Sequence, residues 1–305
     1  MGRIADALKR AQGAGPSQGA DRNDGFTALE YFSSRQAPAT DPWDFGPQVS
    51  PGKVDRNSAG LSTAVAAESL RVLTPSGEHD VSTSPELEKL VLDSRIPRFV
   101  TEQYRQLCAR LHHAQLQRAI KVVMVTSALP AEGKTLTASN LALALSDSYG
   151  RRVALIDADL RRPSLHQVFV LEGAAPVNLL PETGSTTFVA VRPLLAVLAP
   201  REPAADPLAV LASSRMQTVL NGAREQFDWV VLDTPPAGVL PDASVLSSMV
   251  DAVVMVALVG RTPFRAIQQA CEAVGRERVL GVVLNRADRR SVAQAAYRYN
   301  THYHA

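Results

Sequence analysis

The chain has 305 residues, 46% of them hydrophobic and 20% charged, which suits one large or two small domains with a sizeable core. Lys and Arg number 32 against 30 Asp and Glu, so the formal net charge of +2 gives no electrostatic case for a nucleic-acid partner. The two cysteines, Cys108 and Cys271, match no zinc spacing and no disulfide framework, which is typical of the reducing cytoplasm. The apolar run at residues 252–260 is shorter than the roughly 20 residues that a membrane-spanning helix needs, and we recognise no secretory signal.

The first 84 residues differ in composition from the rest of the chain. Residues 2–12 carry apolar side chains along one side and predict a short helix, either a frayed end or a docking helix. The stretch after it is rich in Gly, Pro, Ser, Asp and Ala and has few periodic apolar positions. Such a segment buries too little apolar surface to offset its ordering entropy, so we predict a mostly disordered region over residues 1–84.

From residue 85 onward, apolar β-branched runs alternate with helical patterns. Strands are predicted over residues 121–126, 153–156, 194–198, 229–232, 252–258 and 280–284. Helices are predicted over residues 86–92 and 99–116, and others begin near Lys134, Pro163, Pro207, Ser214, Asp242 and Pro263. Near-continuous apolar strands separated by helices are typical of a parallel sheet that is covered on both faces. The predicted fold is therefore α/β, a mostly parallel sheet with helices on both faces, in a domain over residues 85–288 with a flexible tail over residues 289–305.

A phosphate-binding loop is predicted between the first of these strands and the following helix. The segment reads ALPAEGKT and fits the pattern GxxxxGK[ST] except that Ala128 takes the first glycine position. Backbone N–H groups of such a loop point at phosphates, Lys134 would neutralise phosphate charge and the Thr135 hydroxyl would bind Mg²⁺. The alternative is an ordinary strand–helix turn. The candidate nucleotide-binding residues in this segment are Pro130, Ala131, Glu132, Gly133, Lys134, Thr135 and Leu136.

Two further apolar strands end in carboxylates. The sequence LIDADLRRP brings Asp157, Asp159 and Arg161 after one strand, and DWVVLDTPP ends another strand in Asp233, which is typical of a Walker B acid. Ligands bind at the carboxyl ends of parallel strands, so these acids are placed to act on a metal ion or its water shell. The alternative for Asp157 and Asp159 is to cap the next helix. The three motifs in this order predict a site for phosphoryl chemistry.

Asn285 and three tyrosines complete the candidate residues. Asn285 begins an NRAD segment after the last predicted strand, where it would either meet the nucleotide base or belong to a plain turn. Tyr297, Tyr299 and Tyr303 lie in a polar segment without apolar periodicity, so we predict that their phenols are in water. Exposed phenols are suited to accept phosphoryl groups, each of which adds a charge of about −1.5 to −2.

From residue 85 to its end the chain resembles the bacterial tyrosine autokinases (BY-kinases) of capsule and exopolysaccharide biosynthesis. The resemblance rests on VTSALPAEGKTLTASNLA, LIDADLRRPSLHQVF, DWVVLDTPP and the terminal tyrosines. It implies a protein-tyrosine kinase that binds ATP and Mg²⁺ between these motifs and that regulates polysaccharide synthesis or export. The implied catalytic residues are Lys134, Asp157, Asp159 and Asp233. The implied metal ligands are Thr135, Asp157 and Asp233. Arg161 and Asn285 join the implied nucleotide contacts, and the implied phosphate acceptors are Tyr297, Tyr299 and Tyr303, in a neighbouring subunit.

The resemblance also implies partners. Such kinases form rings that phosphorylate in trans, and a membrane-spanning polysaccharide co-polymerase activates them, so we expect a cytoplasmic protein held peripherally at the inner membrane by that partner. A Glu-x-x-Arg-x-x-Arg pattern that supports ring formation is matched by Glu102 and Arg105, but Cys108 takes the third position. The formation of a homo-oligomeric ring is therefore an open prediction, whereas the kinase chemistry does not depend on it.

Two other functions agree with parts of the sequence. An ATPase switch of the septum-site or chromosome-partitioning type has a similar order of motifs, but it usually carries an additional lysine early in the loop, and residues 127–130 contain none. A non-catalytic scaffold would recruit partners through the linker and the tail and would not bind nucleotide. The predicted reaction is in-line transfer of the ATP γ-phosphoryl group to a tail tyrosine, with most of the catalysis from positioning and charge neutralisation.

Overall fold

The computed structural model describes residues 29–32, 70–73, 90, 96–171 and 186–287. Within these ranges a single sheet contains nine strands, in the order β1-β9-β8-β3-β7-β4-β6-β5-β2. The strands are β1 (Leu29–Phe32), β2 (Arg71–Leu73), β3 (Val122–Ser127), β4 (Val153–Asp157), β5 (Thr187–Arg192), β6 (Leu195–Leu198), β7 (Trp229–Asp233), β8 (Ala252–Leu258) and β9 (Val279–Asn285). The helices are α1 (Arg98–Arg118), α2 (Lys134–Tyr149), α3 (Leu165–Val168), α4 (Pro207–Leu211), α5 (Ser214–Gln226), α6 (Asp242–Ser247) and α7 (Phe264–Ala273).

The central six strands, from β9 across to β6, all run parallel. Their sequences are continuous apolar runs such as VVMVTS in β3 and AVVMVAL in β8, and every residue of these two strands is buried. Strands buried on both faces need apolar residues at every position rather than at alternate ones. Only the outer pairs β1–β9 and β5–β6 are antiparallel in the described sheet. The prediction of a mostly parallel α/β sheet is confirmed.

Each face of the sheet has its own hydrophobic core. On one face, Val123 and Val125 of β3 pack with buried side chains of α1 and α2. On the other face, Val122 and Met124 pack with side chains of α4, α5, α6 and α7. Because successive side chains of a strand point to opposite faces, one short strand supplies both cores. The helices therefore lie on both faces, as predicted.

Local signals explain where several helices begin and end. Ser213 caps α5 by accepting a hydrogen bond from the Met216 N–H at 3.3 Å. Asp206 caps α4 in the same way, with Pro207 in the first turn, where its missing N–H costs nothing. Gly150 ends α2 in the left-handed conformation, which glycine adopts without steric strain.

The predicted strands occur within about a residue of their expected limits, but three strands were missed. The stretch predicted as 121–126 is β3, Val122–Ser127, and the helix predicted over 99–116 is α1, Arg98–Arg118. The strand β5 forms an antiparallel pair with β6. The strands β1 and β2 come from the region predicted to be mostly disordered, and each pairs along an edge of the sheet. Runs of three or four residues are too short to show a recognisable periodicity. Their pairing also depends on strands that lie far away in the sequence, which local propensity does not record.

Other predictions fall on parts of the chain that the structure does not describe. The predicted helices over 2–12 and 86–92 lie outside the described residues, apart from Leu90, as do Asp288 and the tail over residues 289–305. The division of the chain after residues 84 and 288 stays a prediction. Among the described helices, none is both long enough and apolar enough to cross a bilayer.

Candidate active site

The loop between β3 and α2 has the backbone of a phosphate-binding turn. Gly133 has a φ of 89°, and a Cβ at this position would collide with the side-chain amide of Asn285, so glycine is required there for two reasons. Ala131 is also left-handed, with a φ of 61°. Ala128, which stands where the pattern has glycine, is not among the residues with positive φ, so the substitution brings no backbone strain at that position.

The three sequence motifs converge at the carboxyl ends of neighbouring strands. The strands β4 and β7 pair so that Asp157 lies opposite Asp233. The Lys134 Nζ lies 2.9 Å from the Asp159 Oδ2 and 4.0 Å from the Asp233 Oδ1. It also lies 3.3 Å from the Thr135 Oγ1. One lysine thus lies among acids from two strands, as the motif order predicted.

Asp233 is fully buried, and neither of its carboxylate oxygens forms a short, well-aligned hydrogen bond among the described residues, although the Thr135 hydroxyl and the Thr234 N–H lie near the carboxylate. Burial raises the pKa of Asp233 to about 6, although the charge of Lys134 opposes this shift. A buried carboxylate without donors is unfavourable, and its oxygen atoms are the ligands that a hard cation prefers. The orphaned carboxylate and the neighbouring Thr135 hydroxyl therefore fit a magnesium ion that arrives with a nucleotide.

Lys134 carries the main positive charge near these acids. Burial acts against its charged form, but Asp233 and Asp159 outweigh burial and raise the pKa of Lys134 above its ordinary value. The lysine therefore remains an ammonium group at neutral pH. In that form it can neutralise the phosphate charge of a bound nucleotide.

Asp157 is held firmly by backbone N–H groups. Its Oδ2 accepts hydrogen bonds from Ser164 at 2.8 Å and Leu165 at 2.9 Å, and its Oδ1 accepts one from Asp159 at 3.1 Å. The capping contact considered as the alternative is therefore present at the start of α3. Burial raises the pKa of Asp157 to about 8, and the nearby charge of Asp233 adds to the shift. Carboxylate oxygens have further lone pairs, so capping leaves room for another contact.

Several predicted nucleotide contacts have other partners in the structure. Arg161 forms a bidentate ion pair with Asp242, at 3.1 to 3.3 Å. The Leu136 side chain is part of the core, so only its backbone N–H remains available to a phosphate. Pro130 and Ala131 are exposed on the outside of the loop. The nucleotide contacts of these residues stay predictions.

Glu132 and Asn285 lie against each other beneath the loop. The amide of Asn285 donates a hydrogen bond to the carbonyl oxygen of Glu132 at 2.9 Å. The Glu132 carboxylate accepts one from the Leu129 N–H at 2.9 Å and one from the Thr262 hydroxyl. Both side chains therefore contact the loop itself, and their contacts with a nucleotide stay a prediction.

Sequence reasoning missed Asp242 and Thr262, the partners of Arg161 and Glu132. Both residues are buried. The available signal was their place at the starts of helices that follow β7 and β8, at the same edge of the sheet as the phosphate loop. Which distant side chain each would meet depends on the packing of the loops, and local spacing does not contain that information.

Cys108 also has a defined place. It is fully buried in α1, with its Sγ 4.0 Å from the carbonyl oxygen of Leu141, whereas Glu102 and Arg105 are half-exposed and 3.7 Å apart. The third position of the ring-associated pattern therefore faces the core in this chain. An arginine at this position would have to be buried, so the pattern is not simply one substitution from complete.

Comparison with known proteins identifies the family. A family model described as "ParA: NUBPL iron-transfer P-loop NTPase" matches residues 118–294. The tyrosine-protein kinase YwqD of Bacillus subtilis (strain 168) is 35% identical over 191 residues, which cover 61% of this chain and 80% of that protein. The succinoglycan biosynthesis transport protein ExoP of Rhizobium meliloti (strain 1021) is 36% identical over 181 residues, but these cover 55% of this chain and only 22% of ExoP.

A solved structure agrees with these relatives. The crystal structure of the VpsO kinase domain superposes with a TM-score of 0.55 at 30% sequence identity, covering 63% of this chain and 98% of that one. The region that the family model matches, residues 118–294, contains the converging lysine and carboxylates. The chain therefore belongs to the bacterial tyrosine kinases (BY-kinases), within the ParA-type P-loop NTPases, and is a protein-tyrosine kinase.

Proposed function

We propose that this kinase uses Mg-ATP to phosphorylate tyrosines of its own C-terminal tail, Tyr297, Tyr299 and Tyr303. The observation that carries the proposal is the convergence of Lys134 with Asp159 and the orphaned Asp233 at the end of the phosphate loop. The tail supplies acceptors because three of the six tyrosines of the chain lie within its last nine residues.

The residues of the site divide the work of phosphoryl transfer among them. The loop N–H groups and Lys134 hold the phosphates and neutralise their charge. Thr135 and Asp233 would hold Mg²⁺, which withdraws charge from the transferred group when it is bound. The phenol oxygen forms a bond to the γ-phosphorus as the bond to the leaving ADP oxygen breaks, and a carboxylate takes the phenol proton. We assign this last role to Asp157 because it ends β4 opposite Asp233, and its carboxylate oxygens keep lone pairs beyond those that accept the three backbone N–H groups.

We further propose that the kinase acts in polysaccharide synthesis or export, at the inner membrane, through a membrane-spanning partner. The similarity to ExoP, named a succinoglycan biosynthesis transport protein, supports this role, although the match covers only 22% of that protein. The domain division after residues 84 and 288 and the formation of a homo-oligomer belong to the same proposal.

The reaction is tested by mass spectrometry of the tail after incubation of the full chain with Mg-ATP and with the cytoplasmic part of the partner. We expect phosphotyrosine at residues 297, 299 and 303, and its loss from those peptides in the variant Y297F/Y299F/Y303F. Tyr149, which lies in α2 and donates a hydrogen bond to the Arg105 carbonyl at 3.1 Å, provides the matched control Tyr149→Phe. Release of free phosphate without any phosphotyrosine would instead identify an ATPase switch.

A further inference from the structure

We infer that Glu132 is a positioning residue, whose buried carboxylate braces the phosphate loop from beneath and sets its affinity for nucleotide. The inference rests on the proposed binding of nucleotide by this loop. Glu132 occupies a variable position of the loop pattern, so the motif assigns its side chain no role. The structure, however, buries this side chain almost completely.

The carboxylate joins the loop to a second segment of the chain. One oxygen accepts the N–H of Leu129, near the start of the loop, at 2.9 Å. The other accepts the hydroxyl of Thr262, which lies between β8 and α7. The Thr262 oxygen is itself fixed by the N–H of Leu258, at the end of β8, at 2.8 Å. A rigid central strand thus holds the loop through two side chains.

The backbone of Glu132 is held from a third direction. Its carbonyl oxygen accepts the amide of Asn285, the last residue of β9, at 2.9 Å. The carbonyl oxygen of Asn285 in turn accepts the N–H of Val259 at 3.1 Å, so β9 and the segment after β8 are tied together. The two neighbours of Glu132, Ala131 and Gly133, both have left-handed backbones. The contacts of Glu132 therefore hold the part of the loop where the backbone conformation is least common.

The electrostatics of the contact agree with positioning rather than with phosphate binding. Burial raises the pKa of Glu132, although the hydrogen bonds from Thr262 and the backbone oppose this shift. A carboxylate aimed at a phosphate would repel it, whereas here both oxygens point at donors of the protein. Without these contacts, the Leu129 N–H would be left unsatisfied and the loop would lose its fixed shape.

The test measures the affinity of the full chain for a fluorescent ATP analogue with Mg²⁺, in Glu132→Ala, Glu132→Gln and Thr262→Val. We expect Glu132→Ala to weaken binding by about tenfold or more, because the half-buried Leu129 N–H and the Thr262 hydroxyl lose their acceptor. Glu132→Gln keeps an acceptor for Leu129 and should restore binding to within about threefold of wild type. Glu225→Ala, at an exposed glutamate of α5, is the matched control and should bind like wild type.

Two further measurements separate positioning from loss of the fold and from failure of the proposed function. In steady-state phosphorylation, Glu132→Ala should raise the KM for ATP and leave kcat at saturation within about threefold, because the reacting groups remain in place. In the nucleotide-free protein, hydrogen exchange of residues 127–136 should be faster in Glu132→Ala than in Glu132→Gln or wild type. This exchange readout decides whether Glu132 braces the loop even if the wild type binds no nucleotide. That result would overturn the proposed function, and with it the effect on affinity, but not the bracing of the loop.

If Glu132→Ala does not fold, Thr262→Val still tests the inference, because this substitution removes only the hydroxyl. The Thr262→Val variant should also bind nucleotide more weakly and exchange its loop hydrogens faster than wild type. Unchanged exchange and unchanged nucleotide affinity in the folded variants would overturn the inference. So would a Glu132→Gln variant that is as impaired as Glu132→Ala, since the negative charge rather than the hydrogen bonds would then be what matters.

Discussion

Acids at the two ends of the parallel sheet stand in opposite electrostatic surroundings. At the amino ends of the strands, Asp251 accepts hydrogen bonds from the N–H groups of Lys121 and Val122, each at 2.8 Å, and from Arg224 at 2.7 Å. Burial acts against its charge, but Arg224 and the two N–H groups prevail and lower the pKa of Asp251. At the carboxyl ends, burial dominates and raises the pKa of both Asp157 and Asp233.

Aspartate thus serves the stability of the fold at one end of the sheet and the chemistry of the site at the other. Asp251 has donors for its charge and joins the start of β3 to the start of β8. Asp233 is buried with Lys134 at 4.0 Å and with no short hydrogen bond to either oxygen among the described residues. An incompletely compensated carboxylate destabilises the fold, and such sites persist where a ligand supplies what the protein leaves out. Four substitutions, two at each end of the sheet, test this contrast.

The largest effect is expected from Lys134→Met, at the carboxyl end. Phosphotransfer should fall by about 1,000-fold, or about 4 kcal/mol of transition-state stabilisation, because the cation that neutralises phosphate charge is lost. The measurement is the initial rate of phosphotyrosine formation. Lys121→Met is the matched control at the amino end, where the Lys121 Nζ donates to the Arg224 carbonyl at 2.8 Å. If both variants lost activity equally, the contrast between the two ends would fail.

A smaller effect, on stability, is expected from Asp251→Ala. Two backbone N–H groups and Arg224 lose their acceptor, so the free energy of unfolding at pH 7 should fall by about 2 kcal/mol, measured by urea denaturation. The folded pKa of Asp251 is lowered, so its contribution is present above the unfolded value of about 3.9 and is lost as the pH falls below it. The difference between variant and wild type should therefore shrink below about pH 4; a constant difference would show that the charge of Asp251 is irrelevant.

The smallest effect, and one of opposite sign, is expected from Asp233→Asn in the nucleotide-free protein. Burial of the Asp233 carboxylate outweighs its attraction to Lys134, so replacing it with a neutral group should raise the free energy of unfolding at pH 7 by about 1 kcal/mol, even as kinase activity is lost. The folded pKa of about 6 lies above the unfolded value of about 3.9, so wild-type stability declines as the pH rises from about 4 through 6. Thermal unfolding across this range measures the gain. A destabilised variant would show that Asp233 is already compensated in the free protein.

The sequence predicted the parts of the fold and site that depend on local order. Strand β3, the loop and α2 follow one another directly, and Asp233 ends an apolar run, so their meeting at one sheet edge follows from parallel topology. The pairing of Arg161 with Asp242, and of Glu132 with Thr262, joins residues 81 and 130 positions apart. Such contacts depend on how loops pack, which neither spacing nor periodicity records. The short edge strands β1 and β2 were missed for the same reason.

The position of Asn285 has a consequence for how acceptor tyrosines would reach the phosphate. Asn285 contacts the phosphate loop and is also the last residue of β9, so a described residue beside the site lies only eleven residues before Tyr297 in the sequence. If transfer took place within one chain, a substrate tethered so closely would have an effective local concentration on the order of millimolar, an advantage that transfer to a neighbouring subunit, as the family resemblance implies, would not share. Under the proposed reaction, the tail would then need little affinity of its own, and selectivity among its three tyrosines would come from chain length and not from a recognised sequence.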